Sequence, residues 1–364
     1  MPQLDQAIDG VRADETCSAG DDRELHEAPL YGATVQRVKV RAIQIREHGG
    51  PEVLQLVELE LGDPGPGEIR VRHEAIGVNF IDTYHRSGLY PVPMPCVLGS
   101  EAAGIVDAVG AGVTHVAVGD RVVYAARTPG SYADARIVGA AQVCKLPDSI
   151  SFETGAAMML KGMTVQYLLH QTLPQAGLQP GDEIVWHAAA GGVGQIACQW
   201  AKAIGLVLIG TAGGAAKCEL AKKAGAAHVI DYHAEDVVAR VMAITKGRGV
   251  KVVYDSVGKD TWQRSIDCLQ PFGLMASFGN ASGPVPPISL ASLMPKSLYV
   301  TRPTLGTYTM TRERTQAMAD DLFAMVASGK ITIAVEQKYP LADAARAHRD
   351  LEAKKTVGAS VLLP

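Results

Sequence analysis

The stretch EIVWHAAAGGVGQIACQWAKAIG, residues 183–205, joins an apolar run to a segment of helical periodicity through a turn of small residues, with Gly191, Gly192 and Gly194 at the bend. Residues without side chains let a backbone approach a pyrophosphate, whose charge then rests at the positive N-terminus of the following helix. Ala189 stands where the strict G-x-G-x-x-G fingerprint has its first glycine, so the assignment rests on the strand-turn-helix context more than on the glycines. The competing reading is an ordinary tight turn of an α/β sheet. About twenty residues beyond Gly191, where an NAD-binding fold places an acid on the ribose 2′-hydroxyl, the chain reads IGTAGGAAK (209–217) and holds no acid. Thr211, Ala212, Gly213 and Gly214 leave room for a 2′-phosphate, and Lys217 is placed to reach it from the first turn of the next helix. That favours NADPH over NADH as cofactor. The alternative for Lys217 is a solvated surface lysine.

A turn of this kind needs a sheet beneath it. EIVWHA, LVLIGT, HVIDY, KVVYDSV, GLMASFG and SLYVTR are strand candidates, and the first four are each followed by a helical segment. Six strands alternating with four helices predict a doubly wound parallel sheet, because buried parallel strands need helical crossovers on both faces. Upstream, KVRAIQIREHG and GEIRVRHEAIGVN flank the turn cluster DPGPGE and read as an irregular β domain. Beyond residue 305 a helix, RERTQAMADDLFAMVASG, and a strand-rich end, GASVLLP, return to that first domain. The predicted division is therefore an acidic disordered extension over 1–38, a β domain over 39–163, a dinucleotide-binding domain over 164–304, and the returning segment 305–364.

Hydrophobic residues make up 47% and charged residues 20% of the 364, as in folded soluble proteins, and no apolar run is long enough to span a membrane. Residues 1–30 carry eight acids and two bases, leaving the body near neutrality at +2 out of a total of −4. With no basic stripe, nucleic acid is not expected as the main partner. The six cysteines contain no C-x-x-C pair, which argues against disulfides and a structural zinc. A cytoplasmic location is expected, since no signal-peptide core precedes the fold and the acidic start is unlike a transit peptide. His187 reads as a packed or cofactor-adjacent histidine rather than a general acid, and Cys198 and Cys268 as small core residues.

The motifs GVNFIDTYHRSGLYP (77–91), GSEAAGIV (99–106), GDRVVYA (119–125), LKGMTVQYLLH (160–170), HAAAGGVGQIACQWAK (187–202), VVYDSVGKDTW (252–262) and SLYVTRPTL (297–305) together resemble the NADPH:quinone oxidoreductases of the zeta-crystallin group, within the medium-chain dehydrogenase/reductase superfamily. The resemblance runs from about residue 39 to the C-terminus and implies a GroES-like β domain interrupted by a Rossmann domain. In the zinc members of that superfamily a cysteine stands at the position of Asn79 and a histidine at that of Ser100. Glu101 remains, and one carboxylate cannot hold a catalytic zinc, which needs about three protein ligands. The four-cysteine lobe is missing as well, since only a short loop joins GDRVVYA to GSYAD. No metal site is therefore expected.

Without a Lewis acid, forming an alkoxide is difficult, whereas reducing a quinone asks less: its ring is already electrophilic and the product charge is phenolate-like. The resemblance thus implies an NADPH-dependent quinone reductase acting on quinones or other small electrophiles. Asn79 and Tyr84 are candidates to hydrogen-bond the cofactor or the substrate carbonyl, with Tyr90 at the pocket wall; the alternative is that Asn79 closes a turn and Tyr84 packs in the core. Phe80, Ile81, Asp82, Tyr167, Gly192, Val193, Gly213, Lys217, Tyr232, Val257, Phe278, Pro303 and Leu305 fall at cofactor contacts, and Lys354 at a basic position where close relatives carry arginine. A homodimer is expected through SLYVTRP, an edge strand that needs cover. The rival readings are an enone or alkenal reductase and a nucleotide-binding protein with a structural or RNA-binding role.

Overall fold

Residues 37–173 and 177–364 are described by the computed structural model. The extension expected over 1–38 lies outside the described residues except for its last two positions, and Val38 already opens the first strand. Cys17 lies outside them too.

The amino-terminal half is built from β1 (Val38–Ile45), β2 (Gln55–Leu61), β3 (Glu68–Val78), α1 (Phe80–Ser87), β4 (Cys96–Val97), β5 (Glu101–Val109), β6 (Arg121–Ala125), β7 (Ala135–Gly139) and β8 (Val143–Lys145). The difference between β2 and β3 is written in their residues. QLVELEL alternates polar and apolar and sits at a sheet edge, whereas EIRVRHEAIGV is buried along most of its length and lies centrally. Then α2 (Phe152–Gln171) leads into the second half: β9 (Glu183–Trp186), α3 (Gly192–Ala203), β10 (Val207–Ala212), α4 (Ala215–Lys223), β11 (His228–Asp231), α5 (Val237–Ile244), β12 (Val250–Asp255), α6 (Trp262–Cys268), β13 (Leu269–Ser277) and β14 (Tyr299–Thr301). The chain ends through α7 (Leu305–Tyr308), α8 (Arg312–Ala327), β15 (Val335–Pro340), α9 (Ala344–Glu352) and β16 (Ala359–Leu363).

The six predicted Rossmann strands form one parallel sheet in the order β11-β10-β9-β12-β13-β14. Chain order reverses between β9 and β12, and the carboxyl ends of these strands are the place at which this architecture forms its ligand crevice. Side chains alternate across the sheet: Ile184, Trp186, Val252 and Tyr254 enter one core, while Val185 and Val253 enter the core on the opposite face. The GroES-like half is a three-stranded sheet, β2-β1-β4, beside a seven-stranded one, β15-β16-β3-β5-β6-β8, with β7 also on β3. Its last strand, β16, pairs antiparallel with β3, Val361 opposite Gly77.

Helix α2 joins the halves. It is apolar nearly all round, with no polar stripe, as a helix buried on every side must be, and Ser151 caps it by accepting from the Thr154 amide. Its Met158, Met159, Met163 and Tyr167 share one core with Ala75, Ala103 and Val123 of the first half and Ile184, Trp186 and Tyr254 of the second. Each such fully buried side chain contributes roughly 1.5–3 kcal/mol.

The helix reaches β3 closely only because residue 77 is glycine. A Cβ there would lie 2.2 Å from the Ala156 carbonyl oxygen and 2.3 Å from Glu101 Oε2. Gly77→Ala is therefore expected to cost about 1–3 kcal/mol of stability, as overpacking does, read as a lower urea midpoint at unchanged slope; a variant as stable as the parent would show that α2 is free to move away.

Candidate active site

The glycine turn expected to hold phosphate forms because the second residue after β9, Ala188, is left-handed at φ +54°, and the Gly191 amide closes a turn on its carbonyl at 2.9 Å. A Cβ at Gly194 would stand 2.4 Å from that same carbonyl, so this glycine lets α3 pack directly on the turn. The departure at Ala189 is accommodated from the neighbouring strand: a Cβ at Gly210 would lie 2.7 Å from the Ala189 methyl. The fingerprint has exchanged its first glycine for one on β10. Gly191 bridges to Gly358 in the returning segment.

At the carboxyl end of β10 the chain turns through Gly213 and left-handed Gly214, whose amide donates to Asp231 Oδ1 at 2.9 Å. Hydrogen bonds from the Gly214 and His233 amides hold the Asp231 carboxyl below its ordinary range. The Tyr232 hydroxyl covers Gly213, 2.5 Å from where a Cβ would be. Lys217 Nζ donates to the Lys354 carbonyl at 3.0 Å, so the segment after α9 holds this lysine in place. Lys217, Tyr232, Gly213 and Lys354 are thus gathered at one end of the crevice.

At the other end, Asn79 is the N-cap of α1, its backbone amide donating to Asp82 at 2.9 Å. The Asn79 side chain is committed elsewhere: Oδ1 accepts from Lys161 Nζ at 2.7 Å, and Nδ2 donates to Glu101 Oε2 at 2.9 Å. Glu101 Oε1 accepts from the Leu160 amide at 2.7 Å. Lys161 further reaches the Val78 carbonyl at 3.3 Å and Glu101 Oε2 at 3.5 Å. All three residues are buried. Burial pushes the Glu101 carboxyl up, against the pull of Lys161. The stem of Lys161 lies against the phosphate loop, its Cδ 3.2 Å from where a Gly192 Cβ would be.

Asp82 collects further donors from Ser100 Oγ and the Tyr132 hydroxyl, both at 3.0 Å. Burial raises its carboxyl to about 7 in spite of them. Tyr132 also meets His348 Nε2 at 3.1 Å, and His348 Nδ1 meets Arg86. Because a guanidinium only donates, Nδ1 is the acceptor and Nε2 carries the proton, so donation runs from Arg86 through His348 and Tyr132 to Asp82. Arg86 is anchored in turn on both Glu352 oxygens.

Tyr84 and Tyr90 meet edge-to-face at 5.2 Å; Tyr84 accepts from the Asn280 amide in the loop after β13 at 3.0 Å, and Tyr90 from Arg302, just beyond β14, at 2.7 Å. Burial raises the Tyr84 phenol to about 12. Phe80 and Ile81 occupy the first turn of α1. Tyr167 stacks on Tyr308 at 4.3 Å, and Val193, Phe278 and Leu305 pack against the same core. The Val257 amide donates to Asp255 at 2.7 Å, and Pro303 is buried beyond β14. His187 is a neutral packing residue between Thr211 and Ser265, each at 2.9 Å. Lys161, His348, Tyr132, Asn280 and Arg302 were not foreseen; only Lys161 left a signal, as the lone charge inside an apolar helical run. Among the described residues no cluster of three His, Cys, Asp or Glu side chains is placed to hold a metal, and no helix is long and apolar enough to cross a membrane.

Residues 192–324 match the family Zinc-binding dehydrogenase, and residues 65–173 match Alcohol dehydrogenase GroES-like domain. The chain is 54% identical to Quinone oxidoreductase from Pseudomonas aeruginosa over 326 residues, covering 89% of this chain and 99% of the relative. It is 43% identical to 2-haloacrylate reductase from a Burkholderia species over 334 residues, covering 89% and 99%. A crystal structure of Escherichia coli quinone oxidoreductase complexed with NADPH superposes with a TM-score of 0.87 at 55% identity, covering 89% of this chain and all of that one.

The buried histidines make acid stability testable. Burial lowers His348 to about 3 and His73 to about 4, so each stays neutral in the fold while the unfolded chain takes up a proton below about 6.5. Their contribution is complete above that pH and is lost as pH falls toward the folded values; Asp82, raised, acts in the opposite sense. Urea unfolding of His348→Gln is expected to show a shallower fall in stability between pH 6.5 and 4.5, by up to about 1.4 kcal/mol per pH unit. Parallel pH profiles would contradict a neutral His348.

Proposed function

The chain belongs to the quinone oxidoreductase family of medium-chain dehydrogenases and reductases, and we propose that its Asn79–Tyr90 segment and its Gly191–Gly194 turn hold a quinone and NADPH against each other. It is an oxidoreductase that carries reducing equivalents from NADPH to a quinone. The observation that supports the site assignment is the position of Lys161, whose stem lies on Gly192 while its ammonium bonds Asn79. The residues expected at the nicotinamide therefore abut the phosphate turn.

The cradle fits a dinucleotide. Gly192 and Gly213 lack side chains where backbone is partly open, Gly194 lets α3 pack on the turn, α3 offers its positive N-terminus, and Lys217, held by the Lys354 carbonyl, stands near the turn after β10. Lys354 differs from the arginine of close relatives, and it acts here also through the carbonyl that holds Lys217. Val257, Phe278, Pro303, Leu305, Tyr167, Tyr232 and the α1 residues Phe80, Ile81 and Asp82 line the rest. When bound, NADPH supplies a hydride. Tyr84 and Tyr90 form an aromatic wall for a flat acceptor, and Asn79 presents an amide N–H where negative charge develops. Asn79 and Ser100, standing where zinc members carry Cys and His, direct their side chains to Lys161, Glu101 and Asp82, which supports a reaction that runs on positioning and hydrogen bonds without a metal. The likeness to 2-haloacrylate reductase favours a second acceptor class, conjugated carboxylates.

We read the chain as cytoplasmic, with no nucleic acid as main partner, divided functionally at 163/164 and 304/305, and homodimeric through β14. That strand is the sheet edge, and Leu290, Met294, Tyr299 and Val300 are exposed beside it.

Removing the 2′-phosphate partner by Lys217→Ala is expected to weaken NADPH binding about tenfold, measured by fluorescence titration, while leaving NADH nearly unaffected; equal losses would remove the lysine from cofactor selection. Light scattering at micromolar concentration should give a dimer that Tyr299→Asp weakens, and a monomeric parent protein would contradict the edge-strand assembly.

A further inference from the structure

Lys161 has no part in holding the nucleotide phosphates, yet it is a charge placed where burial is costly. Its three ammonium protons meet three acceptors, Asn79 Oδ1, the Val78 carbonyl and Glu101 Oε2, which is the full complement of the group. The Asn79 amide is thereby fixed in one orientation. Its oxygen faces the cation and one N–H is spent on Glu101, while the second N–H has no partner among the described residues. An amide whose oxygen accepts from an ammonium is polarised, and its N–H donates more strongly for it.

We propose that Lys161 is a positioning residue that orients and polarises the Asn79 amide, so that its unspent N–H stabilises the oxyanion formed when a quinone is reduced. The inference rests on the placement of the acceptor beside Asn79. Hydride arrival adds two electrons and one hydrogen to the quinone and oxidises the dinucleotide, leaving a hydroquinone monoanion; a proton from water then completes the hydroquinone. Neither Lys161 nor Asn79 gives up a proton. Glu101 holds the other N–H and balances the lysine charge, so the site stays neutral before the acceptor is charged. The effect belongs to the transition state, since the quinone itself carries no charge to be stabilised.

Lys161→Met alone leaves Glu101 buried without its counterion, so Lys161→Met/Glu101→Gln, which removes both charges, is the companion variant. Both are assayed as full chains with saturating NADPH against benzoquinones whose hydroquinones differ in acidity. The kcat is expected to fall about tenfold or more, with a loss that grows as the product hydroquinone becomes less acidic. NADPH affinity, titrated without acceptor, should change by less than about twofold, a change worth only tenths of a kcal/mol. As an independent readout, 4-nitrophenol bound with NADP+ should ionise at a midpoint about one pH unit higher in both variants than in the parent, followed by its phenolate absorbance. A companion variant that retains the parent dependence on acceptor acidity and the parent phenol midpoint would overturn the proposal. Asn79→Ala separates the two levels: if it impairs quinone reduction while the lysine variants do not, only the role of Lys161 falls. If it leaves reduction intact, the acceptor is not beside Asn79 and both fall.

Discussion

A lysine ammonium inside an apolar helix is the constraint on which the rest of this site depends. Lys161 interrupts a run of alanines, methionines and leucines on α2, the helix shared by both cores. A charge so placed is tolerated only with its partners complete, and leaving one member of such a pair alone costs about 3–5 kcal/mol. The partners fix neighbouring positions in turn. Glu101 must open β5 facing inward, Gly77 opposite it must lack a side chain, and Asn79, the residue after β3, must turn its amide oxygen toward the lysine. Gly192 must be glycine because a Cβ would meet the Gly358 carbonyl at 2.8 Å, and the stem of Lys161 presses on the same point at 3.2 Å. Packing, charge and the cofactor loop are thereby tied to one another through a single side chain.

A second buried chain of hydrogen bonds ties the site to the carboxyl terminus. From Asp82 it runs through Tyr132 and His348 to Arg86 and Glu352, the last residue of α9. Two residues further on, the Lys354 carbonyl holds Lys217. Helix α9 therefore meets the Asp82 network through His348, and just beyond its end the Lys354 carbonyl meets Lys217. Such fully satisfied buried networks restrict the geometries available to their members, which is what delivery of a hydride over a fixed short distance requires.

Much of this architecture is legible in the amino-acid sequence. The six apolar runs of the second half all became strands of one parallel sheet, because each is a short apolar run of strand length set between turn residues and segments of helical periodicity; GLMASFG carries no β-branched residue, and β14 lies exposed at the edge. The glycine turn between β9 and α3 is legible despite Ala189, whereas the compensating glycine at position 210 is not, since it sits on a different strand. Lys161 stood inside the motif LKGMTVQYLLH without being singled out. A buried charge announces that partners exist, yet it does not name them when they lie more than eighty positions away at Val78 and Asn79. His348, Tyr132, Asn280 and Arg302 gave no local signal at all, because each acquires its role only where separate segments converge. Ser100 is the instructive middle case: its type excluded one chemistry, and only the fold revealed that its hydroxyl serves Asp82.

The proposed chemistry sets a hydrogen-bonded amide and a lysine charge in the place of a metal. Elemental analysis of the purified full chain, on the same sample whose NADPH-dependent quinone turnover is measured before and after chelation, tests it most directly. Full turnover is expected with zinc far below one equivalent per chain and no effect of the chelator. Turnover that scales with bound zinc and disappears on chelation would contradict it.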